Sequence, residues 1–108
     1  MGRVRRMGGA AVTWWGLIVE QNSGSGSDLT WSVDILGHTS GTREDALAAL
    51  QAKAERYVPK HPHKARRRAL YRQSDGFLLV LDGRYRQYLC RFTVAEQLAV
   101  EAPDGTGK

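Results

Sequence analysis

Hydrophobic and polar positions alternate, break and resume along this chain, and the pattern divides it into strands and helices. Val12 to Glu20 is rich in β-branched and aromatic residues and predicts a strand. The polar, glycine-rich stretch Gln21 to Asp28 predicts a flexible hairpin connection. From Leu29 to Gly37 the alternation is clean. Leu29, Trp31, Val33 and Ile35 fall on one face and Thr30, Ser32 and Asp34 on the other, which predicts a half-buried strand. Gly37 to Gly41 breaks that run. Thr42 then stands as an N-cap with Asp45 in the capping-box position. Leu47, Leu50, Ala54 and Tyr57 or Val58 recur at helical spacing until Pro59 and Pro62 end the helix.

The pairs Asp75-Gly76 and Asp82-Gly83 punctuate three further strand-like runs. Asp-Gly supplies the backbone a two-residue hairpin turn needs, so these runs predict a meander. Thr93 with Glu96 repeats the capping-box spacing and predicts a short second helix carrying Val94 and Leu98. The expected fold is therefore α+β: a mainly antiparallel five-stranded sheet with helices on one face, in the order ββαβββα. Residues 12–101 are read as a single domain between a basic N-terminal arm, 1–11, and a flexible C-terminal tail, 102–108.

Two-residue turns would put Ala69, Tyr71, Leu78, Val80, Tyr85 and Leu89 on one sheet face. Arg68, Arg72, Arg84 and Arg86 would then share the other with Leu70, Phe77, Leu79, Leu81 and Tyr88. Four arginines under a helix would be costly if left unpaired, so the first face is expected to pack on the helices and the second to lie open. The run Phe77 to Leu81 is apolar on both faces, which predicts a further cover, such as a second subunit.

Charge sharpens this picture. Residues 53–72 carry eight cations and one acid, Glu55, whereas residues 7–52 carry one cation against five acids. The whole 108-residue chain is +5 with an isoelectric point near 9.8. Segregated positive charge is the footprint of a polyanion partner. Lys60, Lys64, Arg66, Arg67, Arg68 and Arg72, with Arg84 and Arg86, are the candidate phosphate contacts, and Phe77 and Tyr88 are candidate stacking surfaces for bases.

Other chemistry is weaker. The turn Gly37 to Thr42 precedes a helix N-terminus, where backbone amides hold anions, but it lacks the lysine and spacing of a phosphate-binding loop. His61 and His63 flank Pro62 and His38 lies apart, so no metal site and no cofactor are expected. The single cysteine, Cys90, excludes an internal disulfide, fits a reducing compartment, and sits mid-strand where a thiol is inert. Arg3, Arg5 and Arg6 before an apolar run imitate a signal peptide. That run alternates like a strand, meets Glu20 and Gln21 rather than a cleavage site, and is too short to span a bilayer. A basic arm entering a strand of a cytoplasmic protein is expected, with Met7 as an alternative start.

The order helix, three strands, helix is similar to that of double-stranded-RNA-binding domains. Those domains carry a lysine-rich motif at the start of the last helix, where this chain has Thr93-Val-Ala-Glu96, so no residue is carried over. The expected function is that of a small non-enzymatic module binding nucleic acid or another polyanion through an arginine-rich sheet face. The alternative is a protein-interaction module that forms a homodimer.

Overall fold

In the computed structural model residues 3–4, 12–23, 30–59 and 65–102 are described. The strands are β1 (Arg3–Val4), β2 (Trp14–Ser23), β3 (Thr30–Ser40), β4 (Arg67–Gln73), β5 (Gly76–Asp82), β6 (Gln87–Gln97) and β7 (Glu101–Ala102). Between β3 and β4 lies α1 (Arg43–Arg56), the one helix among the described residues. Five strands make an antiparallel sheet in the order β3-β2-β6-β5-β4, and β1 and β7 make a separate two-residue ladder. The α+β class and the five-stranded sheet follow the sequence pattern; the plural helices do not.

The helix begins where its sequence says it should. Thr42 caps it, the Asp45 amide donates to Thr42 Oγ1 (3.0 Å), and the Thr42 amide donates to Asp45 Oδ2 (2.9 Å). Gly41 before it has φ +131°, a backbone that side chains disfavour, and a Cβ there would also run into the Asp45 carboxylate. Ala46, Leu50 and Ala54 bury one face of α1, and the two alanines let it sit close to the sheet. Arg43 ties the N-terminal end to the β4–β5 turn through the Ser74 carbonyl (2.5 Å) and the Asp75 carboxylate (2.8 Å).

The second capping box does not open a helix. Thr93 to Glu96 continue β6, with Thr93 opposite Ile18, Val94 opposite Leu17 and Glu96 opposite Trp15. A Thr-x-x-Glu spacing contributes one local turn, whereas the central strand of a sheet gains ladder bonds and packing along its length, and β-branched Thr93 and Val94 suit it. Without that helix, the order resembling double-stranded-RNA-binding domains is absent as well. Gly37 likewise fails to stop β3, which runs on to Ser40 past a bulge. The extra residue is Leu36: Leu17 pairs with Gly37 and Ile18 with Ile35, and Leu36 turns in to pack on the core.

Both turns differ from two-residue Asp-Gly loops. Gln73 pairs with Gly76, so Ser74 and Asp75 make the first turn, and Asp82 pairs with Gln87 across four loop residues. A Cβ on Gly76 would run into the carbonyl oxygen of Phe92, because the two backbones close there. Each shift moves the register by an even number, so the side chains that stay in strands keep their expected faces, while Arg84, Tyr85 and Arg86 leave the sheet for the second loop.

Which face is covered is the reverse of the expectation. Helix α1 packs on the face carrying Leu17, Val19, Phe77, Leu79, Leu81, Cys90 and Phe92, with Leu70, Tyr88 and Val94 at its margin. Tyr71, Leu78, Val80 and Leu89 lie on the other face with Ile18, Trp31, Val33 and Ile35. The half-burial expected for Trp31, Val33 and Ile35 fails accordingly: they are 46%, 62% and 60% exposed. Leu29 lies outside the described residues.

Candidate nucleic-acid interface

The covered face tolerates its arginines because none is buried by its head. Arg68 leaves the start of β4 and donates to the carbonyls of Ala54 (2.9 Å) and Glu55 (3.1 Å), closing the C-terminal end of α1. Arg72 lies 5.7 Å from the ring centre of Phe77 and Arg86 4.8 Å from that of Tyr88. Their stems cross apolar surface while the charged groups reach the rim. The burial-cost argument that opened this face therefore has no buried charge to act on.

What the fold gathers is an end of the molecule rather than a face. The C-terminal end of α1, the start of β4, the end of β5 and the start of β6 meet there. The Arg66 amide donates to the Asp82 carbonyl (2.7 Å) and the Gly83 amide to the Arg86 carbonyl (2.8 Å). Arg66, Arg67, Arg68, Arg84 and Arg86 share this end with Arg56 from the last turn of α1, whereas the Lys53 side chain runs back along β3 beside Gly37. Among the described residues the nearby acids are Glu55, which takes a bond from Gln51 (3.0 Å), and Asp82, which takes one from Gln87 (3.0 Å) and sits 3.9 Å from Arg67. Arg72 is the exception among the described candidates. It lies toward the other end of β4, opposite Phe77 and near the acidic turn. Lys60, Lys64, His61 and His63 lie outside the described residues.

Among the described residues the opposite end carries Glu44, Asp45, Asp75 and Glu96 against Arg43 and Arg72. The molecule is thus electrically polar along its strands. The macrodipole of α1 runs the same way, with acids at its N-terminus and cations at its C-terminus.

The stacking surfaces also change identity. Phe77 is buried under α1 and Tyr88 is half-buried beneath Arg86, so neither offers an open ring. Tyr85, in the loop between β5 and β6, is 87% exposed, with Arg84 5.4 Å from its ring centre. The Arg84-Tyr-Arg86 run was the available signal. A two-residue turn would set Tyr85 inside a strand, whereas the four-residue loop carries it into solvent.

The remaining candidates settle simply. The N-terminus of α1 is filled by the Asp45 carboxylate, which occupies the place an anion would take. The same contact with Thr42 holds the Asp45 carboxyl below its ordinary range. Burial pushes the Cys90 thiol up to about 11, the reverse of an activated nucleophile. Tyr57 Oη donates to Gln21 Oε1 (2.8 Å) beside it, and burial raises the Tyr57 hydroxyl too. Among the described residues no three His, Cys, Asp or Glu side chains converge as metal ligands, and no helix is long and apolar enough to cross a membrane. No protein family, curated protein or solved structure matches this chain.

Proposed function

We propose that this chain is a small non-enzymatic binding module that takes a polyanion, nucleic acid foremost, at its basic end. The observation that carries the reading is the six cations gathered there, Arg56, Arg66, Arg67, Arg68, Arg84 and Arg86, against the two acids Glu55 and Asp82 among the described residues. A helix C-terminus accounts for only about half an elementary negative charge. The surplus far exceeds what the helix can neutralise, and phosphates are the usual complement of such an excess. Tyr85 supports a single-stranded ligand. An almost bare ring beside Arg84 has no packing role and offers a platform for a base.

Fluorescence polarisation with a labelled single-stranded oligonucleotide and its duplex, at about 50 and 200 mM salt, tests this. Binding at the lower salt should weaken steeply at the higher. Arg66→Glu combined with Arg84→Glu changes two exposed cations, and should cost at least about tenfold in affinity and flatten the salt slope. Tyr85→Ala should weaken the single strand by about fivefold or more and leave the duplex nearly unchanged. No binding at the lower salt, or a charge-reversed variant that binds like the parent, overturns the reading.

A further inference from the structure

We infer that the open face of the sheet is the interface of a homodimer, two copies packing sheet on sheet with their strands reversed, so that each basic end lies over the other copy's acidic end. The face is apolar where an exposed antiparallel sheet should alternate toward polar residues. Trp31, Val33, Ile35 and Tyr71 stand exposed on it, at 46%, 62%, 60% and 49%. None of the described residues covers them, because α1 packs wholly on the other side.

Its dimensions fit a second copy. Five strands spaced by about 4.8 Å span about 24 Å, and a seven-residue overlap runs about 23 Å, a plane of about 550 Å² before side-chain relief is added. A standard interface takes about 800 Å² from each partner. Sheets that pack face to face interdigitate such side chains across about 10 Å. The middle of the face is also electrically quiet. Glu20 and Arg91 are cross-strand neighbours of opposite sign, and the Arg91 guanidinium lies over Trp31, 5.5 Å from its ring centre, rather than projecting.

The charge polarity chooses the arrangement. A two-fold axis along the strands would stack basic end on basic end. An axis across the strands sets unlike ends together, which electrostatic complementarity favours. No ligand at the basic end is needed to bury this face, so a failed oligonucleotide titration would leave the dimer standing.

Sedimentation velocity from about 5 to 100 μM, with melting temperature followed over the same range, reads the association. The expected result is a dimer of about 24 kDa, twice the 12.0 kDa chain, whose melting temperature rises with concentration. Val33→Glu with Ile35→Glu should give a monomer that keeps its far-ultraviolet circular dichroism, since both side chains already meet water in the single chain. Leu98→Glu, at a site more open to water but outside the face, should remain dimeric. A monomer at 100 μM, or a dimer indifferent to the Val33 and Ile35 changes, overturns the interface. A spin label on Arg84→Cys reads the orientation, Cys90 being buried. Reversed strands separate the two labels by about 30 Å or more, whereas a separation under about 20 Å overturns the arrangement.

Discussion

The two faces of this sheet are built from similar residues and meet different fates. Beneath α1, Leu79 and Phe92 are fully buried, whereas across the same strands Leu78 and Val80 are only half-buried and Val33 and Ile35 are open. The arginines follow the opposite rule from charge-avoidance. Arg68 and Arg72 belong to the covered face and Arg86 adjoins it from the loop, and long stems carry their heads to helix carbonyls and ring faces at its margin. Counting charges per face predicts burial only when the side chains are short, or when the residues sit far from a rim.

The largest break in this comparison comes from truncating matched positions. Phe92→Ala removes a ring from the middle of the covered face, where it also meets Tyr57 edge-on with centroids 5.2 Å apart. It should cost about 3–5 kcal/mol in urea unfolding. Leu78→Ala, one strand over and facing the other way, should cost about 1–2 kcal/mol in a sample dilute enough to be monomeric. Equal costs would mean that the two faces are equally enclosed within one chain.

A smaller effect separates neighbouring arginines. Arg68 supplies charge-assisted hydrogen bonds to two helix carbonyls, so Arg68→Ala should destabilise by about 1.5–3 kcal/mol. Arg67, next to it but facing the other way, makes an exposed ion pair at 3.9 Å, and Arg67→Ala should stay within about 0.5 kcal/mol. Chemical denaturation of the two single variants checks the contrast, and similar values would remove the structural role assigned to Arg68.

These contrasts mark what the sequence could tell. The alternation of Leu29 to Ile35 and of the later runs identified the strands and which side chains share a face, because period-two patterning is a local property. The Thr42 and Asp45 capping box set the start of α1 for the same reason. What the pattern could not carry was non-local. Thr93-Val-Ala-Glu96 satisfies the same local rule as Thr42 to Asp45, and only the neighbouring β2 and β5 make it strand. Which apolar face the helix chooses depends on the crossover from β3 at one edge to β4 at the other, which no residue in either strand encodes. The candidate site suffered from the same gap. The charge run over residues 53–72 and the pair Arg84 and Arg86 are legible in composition, but only the fold joins Arg56 and Tyr85 to Arg66, Arg67, Arg68, Arg84 and Arg86 and turns Lys53 and Arg72 away.

The smallest effect is silent at neutral pH and belongs to the covered face alone. Cys90 is buried against β5 and near Gln21, its Sγ 4.0 Å from Oε1, and burial raises its thiol from an ordinary 9.0 to about 11. The folded chain therefore holds this proton more tightly than the unfolded chain does. Below pH 9 both states keep it and stability is unaffected by pH. Above pH 9 the unfolded state releases it first, so stability should fall as pH rises toward 11 and level off beyond. Tyr57, also raised by burial, pushes in the same direction at higher pH. Urea unfolding between pH 8 and about 11 should show this decline, and Cys90→Ala should shift its onset upward to the Tyr57 contribution. A decline of the same onset in Cys90→Ala would place its origin outside the covered face.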